Sequence, residues 1–373
     1  MIATLRTFYR GENSWDILRV SRKVLIGSAV AVLICVVALL VRGLNLGIEF
    51  EGGSVWEIPV PAGAQNTEGS GTDAGSGSAA GDGVTTDDVA AAAAEAGVPD
   101  ARVQLVIVTG ADDIFRVRGV LAPDTAAVDV AATLADAVGV DVESLSTRQV
   151  SPSFGDEVAG KARRALVVFF VLIALYLWFR FEWKMSIGAL IAVAHDIVLT
   201  VGAYALFGFE VTPATVVAFL TIMGYSLYDT IVVFDRVKSN ERSLPARSHF
   251  TYHALANVSL NQVLTRSVNT SITSVLPVVS LLVVGAGFLG AGTLSEFAIA
   301  LLIGLLVGSY SSIFVAMPAV ALLKGYEPGW AAAQVAAEAA GRHDSMEAAA
   351  QALAAESYTR TAPPRPRKLG RRR

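Results

Sequence analysis

Val24-Leu-Ile-Gly-Ser-Ala-Val-Ala-Val-Leu-Ile-Cys-Val-Val-Ala-Leu-Leu-Val41 is a run of eighteen residues without a charge. A hydrocarbon core about 30 Å thick is crossed by roughly 20 helical residues, because a helix satisfies its backbone polar groups internally. The run is longer than the roughly 7–15 apolar residues of a secretory signal. No small-x-small cleavage pattern follows it between Arg42 and Gly53, so it reads as a retained signal anchor.

Five comparable stretches follow. Residues 162–180 hold an uncharged run, Ala165 to Phe179, bracketed by Arg164 and Arg180, placed to snorkel. Residues 185–207 are interrupted by His195 and Asp196, 211–235 carry Asp229, 261–284 carry Arg266, and 296–323 complete the set. With 24–41 they predict an α-helical polytopic membrane protein with six transmembrane helices. The composition agrees: 53% of the 373 residues are apolar and 17% are charged, against about 25% charged in a soluble domain. A disordered, collagen-like or disulfide-scaffold chain is excluded. Cys35 stands alone and the four histidines are scattered, so no disulfide, metal site or cofactor is expected.

Positive charge sets the orientation. Arg19, Arg22 and Lys23 precede the first span, Arg180 and Lys184 separate the second from the third, and Arg236, Lys238 and Arg242 follow the fourth. Lys161, Arg163 and Arg164 dissent. The majority places both termini in the cytoplasm. Residues 1–23, the loop 236–260 and the Ala-rich, basic tail 324–373 then lie inside, and 43–160 lie outside. That outer segment holds nineteen Asp and Glu against four Arg, a net charge of −15, although the whole chain is only −4.

Within 43–160, the stretch 65–83 is almost all Gly, Ser, Ala and Thr and reads as a flexible insert. Around it, strands are expected at 54–60, 102–109, 114–120 and 142–150. Helices are expected from Thr85 or Thr86 to Gly97, and from Pro123 to Gly139. The order β-α-β-β-α-β is that of a ferredoxin-like α+β domain. It has no His, no Cys and no phosphate loop, and its dispersed acids read as a solvated face.

Charged groups inside a span are costly and mark function by default. Asp229 and Arg266 lie at matched depths, roughly 9 Å and 7–8 Å from the inner boundary, on consecutive antiparallel helices, so they can meet. Arg266, Asn269, Thr270 and Thr273 share one helical face. Tyr225 shares a face with Asp229, and Ser226 and Thr230 flank it. Gly188, Ala192, Asp196 and Thr200 form a small and polar seam, and Ala300, Gly304, Gly308 and Ser312 a small-residue packing edge. Asp229 reads as a protonatable carboxylate coupled to Arg266, or as half of a static ion pair pinning the two helices. His195 and Asp196 read equally as functional or as hydrogen-bonding groups between helices.

Several segments carry a family resemblance: Gly43-Leu-Asn-Leu-Gly-Ile-Glu-Phe-Glu-Gly-Gly53, Tyr176-Leu-Trp-Phe-Arg-Phe-Glu-Trp183, Ala194-His-Asp-Ile-Val198, Gly224-Tyr-Ser-Leu-Tyr-Asp-Thr-Ile-Val-Val-Phe-Asp-Arg236, Asn261-Gln-Val-Leu-Thr-Arg-Ser-Val-Asn-Thr-Ser271 and Gly308-Ser-Tyr-Ser-Ser-Ile-Phe314. From about Ser21 to Lys324 the chain resembles the protein-export membrane protein SecF, of the SecD/SecF family in the RND superfamily. The resemblance implies an auxiliary, non-enzymatic subunit of the bacterial Sec translocase in the cytoplasmic membrane. Its implied partners are SecD, the SecYEG channel, SecA, YajC and preprotein substrates, and proton-motive force would draw preproteins outward. Asp229 and Arg266 match the family's proton-relay positions. Glu49 and Glu51 stand where the family usually has Asp and Thr, and Tyr228 where many members have Asn. The alternatives are an RND-type proton-coupled exporter half for small molecules or lipids, and an intramembrane enzyme or receptor. No HExxH, Gly-x-Ser-x-Gly or paired-aspartate motif supports an enzyme, and nothing points to nucleic acid.

Overall fold

The computed structural model describes residues 15–60, 84–106, 113–122, 125–243, 251–286, 292–339, 349–351 and 353. The expected insert at 65–83, residues 1–14 of the N-terminal segment, the end of the expected strand at 107–109, residues 123–124, residues 244–250 of the expected loop and the basic end of the tail lie outside the described residues.

The first helix, α1 (Ile17–Arg42), starts well before residue 24. Asp16 caps it by accepting from Arg19 N at 3.1 Å. Two asparagines from a later helix fasten its start: Asn261 Oδ1 accepts from Trp15 N at 3.1 Å and Asn257 Oδ1 from Leu18 N at 3.0 Å. Charged residues let a helix run on into water, so the cap rather than the apolar boundary decides its first residue.

Next come β1 (Asn45–Leu46), the single-turn α2 (Ile48–Glu51) and β2 (Gly53–Pro59). Gly52 and Gly53 take φ of +78° and +127°, torsions that glycine alone adopts freely. A Cβ on Gly52 would lie 2.7 Å from the Pro152 backbone. The glycine pair therefore closes the entry of the outer domain onto its exit.

The outer domain continues through α3 (Thr86–Glu95), β3 (Arg102–Val106), β4 (Ile114–Gly119), α4 (Ala127–Val138) and β5 (Ser146–Val150). The sheet order is β3-β4-β2-β5, with all neighbours antiparallel. Trp56, Ile58, Phe115 and Val117 pack beneath Val89, Ala93, Val130 and Leu134 of the two helices. Gly139 closes α4 in the left-handed region, as expected. The last strand is shorter than 142–150 because Asp141 accepts from Glu143 N at 3.1 Å and winds Val142–Ser144 into a 3-10 turn.

The remaining elements are α5 (Pro152–Arg180), α6 (Trp183–Phe207), β6 (Glu210–Val211), α7 (Pro213–Ser243) and α8 (Tyr252–Leu281), the last running on into a π turn at Leu282–Ala286. After them come α9 (Gly292–Ser311), a second π turn (Ser312–Ala316), α10 (Met317–Gly325) and α11 (Pro328–Ala339). Among the described residues six helices are long and apolar enough to cross a membrane: α1, α5, α6, α7, α8 and the continuous Leu294–Gly325. This is a multi-pass membrane architecture.

Ser151 caps α5 at Pro152, well ahead of residue 162, and Lys161 pairs with Glu157 at 2.8 Å on the extension. Of the loop expected at 236–260, residues 236–243 and 252–260 are helical. Asn240 Nδ2 donates to Ser259 Oγ and to Gln262 Oε1, both at 2.8 Å, joining α7 to α8 beyond the apolar boundary. A parallel pairing, Asn45 opposite Glu210 and Leu46 opposite Val211, ties β1 to β6. Burial is uneven: α6, α7, the α9–α10 helix and the first half of α8 form the interior, while α1, α5 and the second half of α8 are largely unburied.

Candidate functional site

The interior holds two carboxylates in otherwise apolar helices, each solvated by hydroxyl groups. Asp229 of α7 is buried. Its Oδ1 accepts from Ser267 Oγ of α8 at 2.9 Å, and its Oδ2 from Ser312 Oγ of the second π turn at 2.7 Å. A hydroxyl rotor both donates and accepts. Such partners serve the ionised carboxylate and the protonated acid alike, whereas an arginine would hold the ionised form.

Arg266 does not meet Asp229. Successive helical residues point about 100° apart, and it is Ser267 that turns inward. Arg266 is exposed, and its Nη2 donates to Tyr228 Oη at 3.0 Å. The stripe that shares its face follows it outward: Asn269 and Thr273 are exposed and Thr270 is half-buried. The threonines turn back onto their own helix, Thr270 Oγ1 to Arg266 O at 2.8 Å and Thr273 Oγ1 to Asn269 O at 2.9 Å. Tyr225 and Tyr228 stand half-exposed beside them on α7. The stripe thus lies on the outside of the six-helix body.

A cavity of about 30 Å³ lies between this surface and the interior, lined by Tyr225, Ser226, Asp229, Thr270, Ser271 and Gly308 among others. That volume admits a water molecule. Asp229 therefore lines a water-sized cavity on the Tyr225 and Thr270 side.

The second carboxylate, Asp196 of α6, is 1% exposed. Its Oδ2 accepts from Ser226 Oγ at 2.5 Å and from Ser311 Oγ at 2.8 Å, while His195 Nδ1 lies 2.9 Å from Oδ1. Thr230 bonds its own helix, at Ser226 O. The close approach of α9 to α7 makes this possible. A Cβ on Gly304 would overlap Ile222, and one on Gly308 would lie 2.9 Å from Ser226 Cβ. The seam Gly188, Ala192, Asp196 and Thr200 is buried throughout. Among the described residues no group of three or more His, Cys, Asp or Glu is placed to hold a metal ion.

Sequence reasoning missed Ser267, Ser311, Ser28 and Tyr310, and read Ser312 only as packing. For Ser312 the signal was present, a hydroxyl in phase with Gly304 and Gly308. The π turn beginning there carries none in the sequence.

Two family models match the chain: "Protein export membrane protein SecD/SecF, C-terminal" over residues 130–325, and "SecD/SecF GG Motif" over residues 37–60. Protein translocase subunit SecF of Streptomyces coelicolor is 41% identical over 324 residues, covering 86% of this chain and 79% of the relative. The Mycobacterium tuberculosis H37Rv protein of the same name is 36% identical, covering 86% and 69%. The crystal structure of SecDF, a translocon-associated membrane protein from Thermus thermophilus, superposes with a TM-score of 0.67 at 29% identity, covering 86% of this chain. The chain spans 41% of that structure's length.

Proposed function

This chain belongs to the SecD/SecF family of protein-export membrane proteins, and from that premise we propose that it is an auxiliary subunit of the bacterial Sec translocase. In this reading it couples proton flow through the helix bundle to outward movement of preproteins. The observation that carries the reading is Asp229: a buried carboxylate, bonded among the described residues by serine hydroxyls, beside a water-sized cavity.

Protonation of Asp229 removes a charge from the interior and lets one of its hydroxyl partners become an acceptor. The contacts to α8 and to the second π turn then change together. One charge moved through 100 mV is worth about 2.3 kcal/mol, enough to shift a two-state equilibrium by tens of fold. Arg266 takes part from the surface side of the cavity, through Tyr228, and not as a direct ion-pair partner.

The exposed polar stripe Arg266, Asn269 and Thr273 is unsuited to lipid, and it supports a SecD-type partner packed against α7 and α8. A single-chain SecDF from Thermus thermophilus, 43% identical over 171 residues, joins the two subunits by name. SecYEG, SecA and YajC complete the proposed assembly. The outer domain is read as ferredoxin-like on its four-strand order. The positive charges support a cytoplasmic-membrane protein with both termini inside.

Asp229→Asn keeps the side chain's shape and removes its exchangeable proton. Preprotein export in cells carrying only this variant is expected to fall to the level of cells lacking the chain, with membrane insertion intact. Export at the unaltered level would overturn the proton-coupling reading.

A further inference from the structure

We propose that Asp196 and His195 form a second proton-holding dyad, arranged in series with Asp229 and coupled to it through the adjacent serines 311 and 312. The proposal rests on the reading of Asp229 as a proton carrier and adds a second station to it.

The dyad is built from four helices. His195 Nδ1 faces Asp196 Oδ1 at 2.9 Å, and its Nε2 faces Tyr310 Oη at 3.3 Å and also the Ser28 hydroxyl. Ser28 comes from α1, Ser226 from α7, and Tyr310 and Ser311 from α9. Both ring nitrogens and both carboxylate oxygens of the pair are therefore engaged. A structural polar pair needs only its own bonds satisfied. This one shares neighbours with Asp229 in two places.

The first shared place is Ser226. It donates to Asp196 and also lines the cavity that Asp229 lines. A proton arriving in the cavity passes on when the Ser226 hydroxyl gives its proton to Asp196 and takes another from the cavity side, leaving the serine unchanged. The dyad then goes from a carboxylate beside a neutral imidazole, net charge −1, to a net-neutral pair.

The second shared place is the π turn. Ser311 donates to Asp196 and Ser312 to Asp229, although consecutive residues of a regular α-helix diverge by about 100°. The turn at Ser312–Ala316 begins at this step, and π turns within helices recur at functional sites. One element thus holds both carboxylates, and a change of charge at either acts on the turn that holds the other. Tyr310 of α9 is a titratable group that also faces the dyad, and Asp229 of α7 shares with it the Ser226 cavity and the Ser311–Ser312 step.

Infrared difference spectroscopy of the whole chain in lipid bilayers, recorded against pH, tests the proposal. Two protonation events are expected. Asp229→Asn removes one, and Asp196→Asn or His195→Gln removes or displaces the other, read as a carboxyl or an imidazolium band. Asp229→Asn also moves the dyad's midpoint to lower pH, since a neighbouring negative charge is gone. His195→Gln can keep hydrogen bonds to Ser28 and Tyr310, so it reports if Asp196→Asn fails to fold. An Asp196 that stays ionised beside a neutral His195 at every pH where the chain is folded overturns the proposal. So does a dyad titration that Asp229→Asn leaves unmoved. Full export by Asp229→Asn would overturn the reading of Asp229 alone, leaving the dyad's bands in place.

Discussion

The outer domain and the helix bundle both carry acids, and they treat them in opposite ways. At the base of the outer domain, carboxylates are met by arginine: Arg116 lies 3.0 Å from Glu57 and 3.6 Å from Glu296, Arg148 lies 3.8 Å from Glu49, and Arg118 pairs with Glu210. In the bundle, Asp196 and Asp229 receive serine hydroxyls, and among the described residues neither is paired with Arg or Lys. Ion pairs reachable by water, such as Arg148–Glu49, contribute little and can be exchanged, whereas Arg118 is buried at its pair with Glu210. A buried carboxylate with an arginine would be locked in its ionised form. Hydroxyl partners leave the proton free to come and go, so this choice of partner is itself an argument for function.

The comparison breaks most visibly at Gly304. Its α9 backbone lies against Ile222 with no room for a Cβ. Gly304→Leu is expected to push α9 off α7, withdraw Ser311 and Ser312 from the two carboxylates, and destabilise the bundle by about 3 kcal/mol, the upper end for overpacking. Gly160, in the extension of α5, has nothing within 4 Å of the place a Cβ would take. Gly160→Ala should be neutral or stabilising by up to about 1 kcal/mol. Accumulation and heat resistance of the two variants in membranes distinguish the sites, and equal behaviour would remove the close-packing argument.

A smaller effect separates the carboxylates themselves. Ser312→Ala leaves one oxygen of buried Asp229 without its donor and is expected to cost about 1–3 kcal/mol. Glu95→Gln, at the exposed end of α3, should stay within about 0.5 kcal/mol of the unaltered chain. Denaturation in mild detergent measures both. A Ser312→Ala variant as stable as Glu95→Gln would mean that Asp229 finds another donor.

These contrasts explain what the sequence disclosed. Long uncharged runs announce membrane helices because lipid tolerates nothing else, and the six stretches fall on helices long enough to span, except that the fourth begins at Pro213 because Val211 is held in β6. Helix ends were less legible. Asp16, Ser151 and Thr251 set them by capping, outside the apolar runs, where hydropathy carries no information. Within the spans, Asp229 stood out by its cost. Its partners did not, because spacing identifies which residues share a face and not which face turns inward. The one-residue difference between Arg266 and Ser267 is decided by packing against α7. The two-residue pairing of β1 with β6 is likewise a product of tertiary proximity.

The smallest expected effect lies at the start of α3, where a carboxylate is bonded by a hydroxyl as in the bundle, but in water. Thr85 Oγ1 and Thr85 N donate to Asp88 Oδ2 at 2.7 and 2.9 Å, and Asp88 N donates back to Thr85 Oγ1 at 3.3 Å. The Thr85 hydroxyl and backbone amide hold the Asp88 carboxyl below the usual aspartate range. A depressed carboxyl stabilises the fold above its unfolded-state value and loses that contribution as pH falls through the folded one. Thr85→Ala should therefore speed hydrogen exchange in the first turn of α3 by about fivefold at neutral pH, the usual scale for a lost cap. The difference should fade once acid has protonated Asp88 in the unaltered chain. A difference that persists unchanged into strong acid would assign the effect to the Thr85 cap alone. The exposed hydroxyl–carboxylate pair would then lack the link to protonation that the buried ones are argued to use.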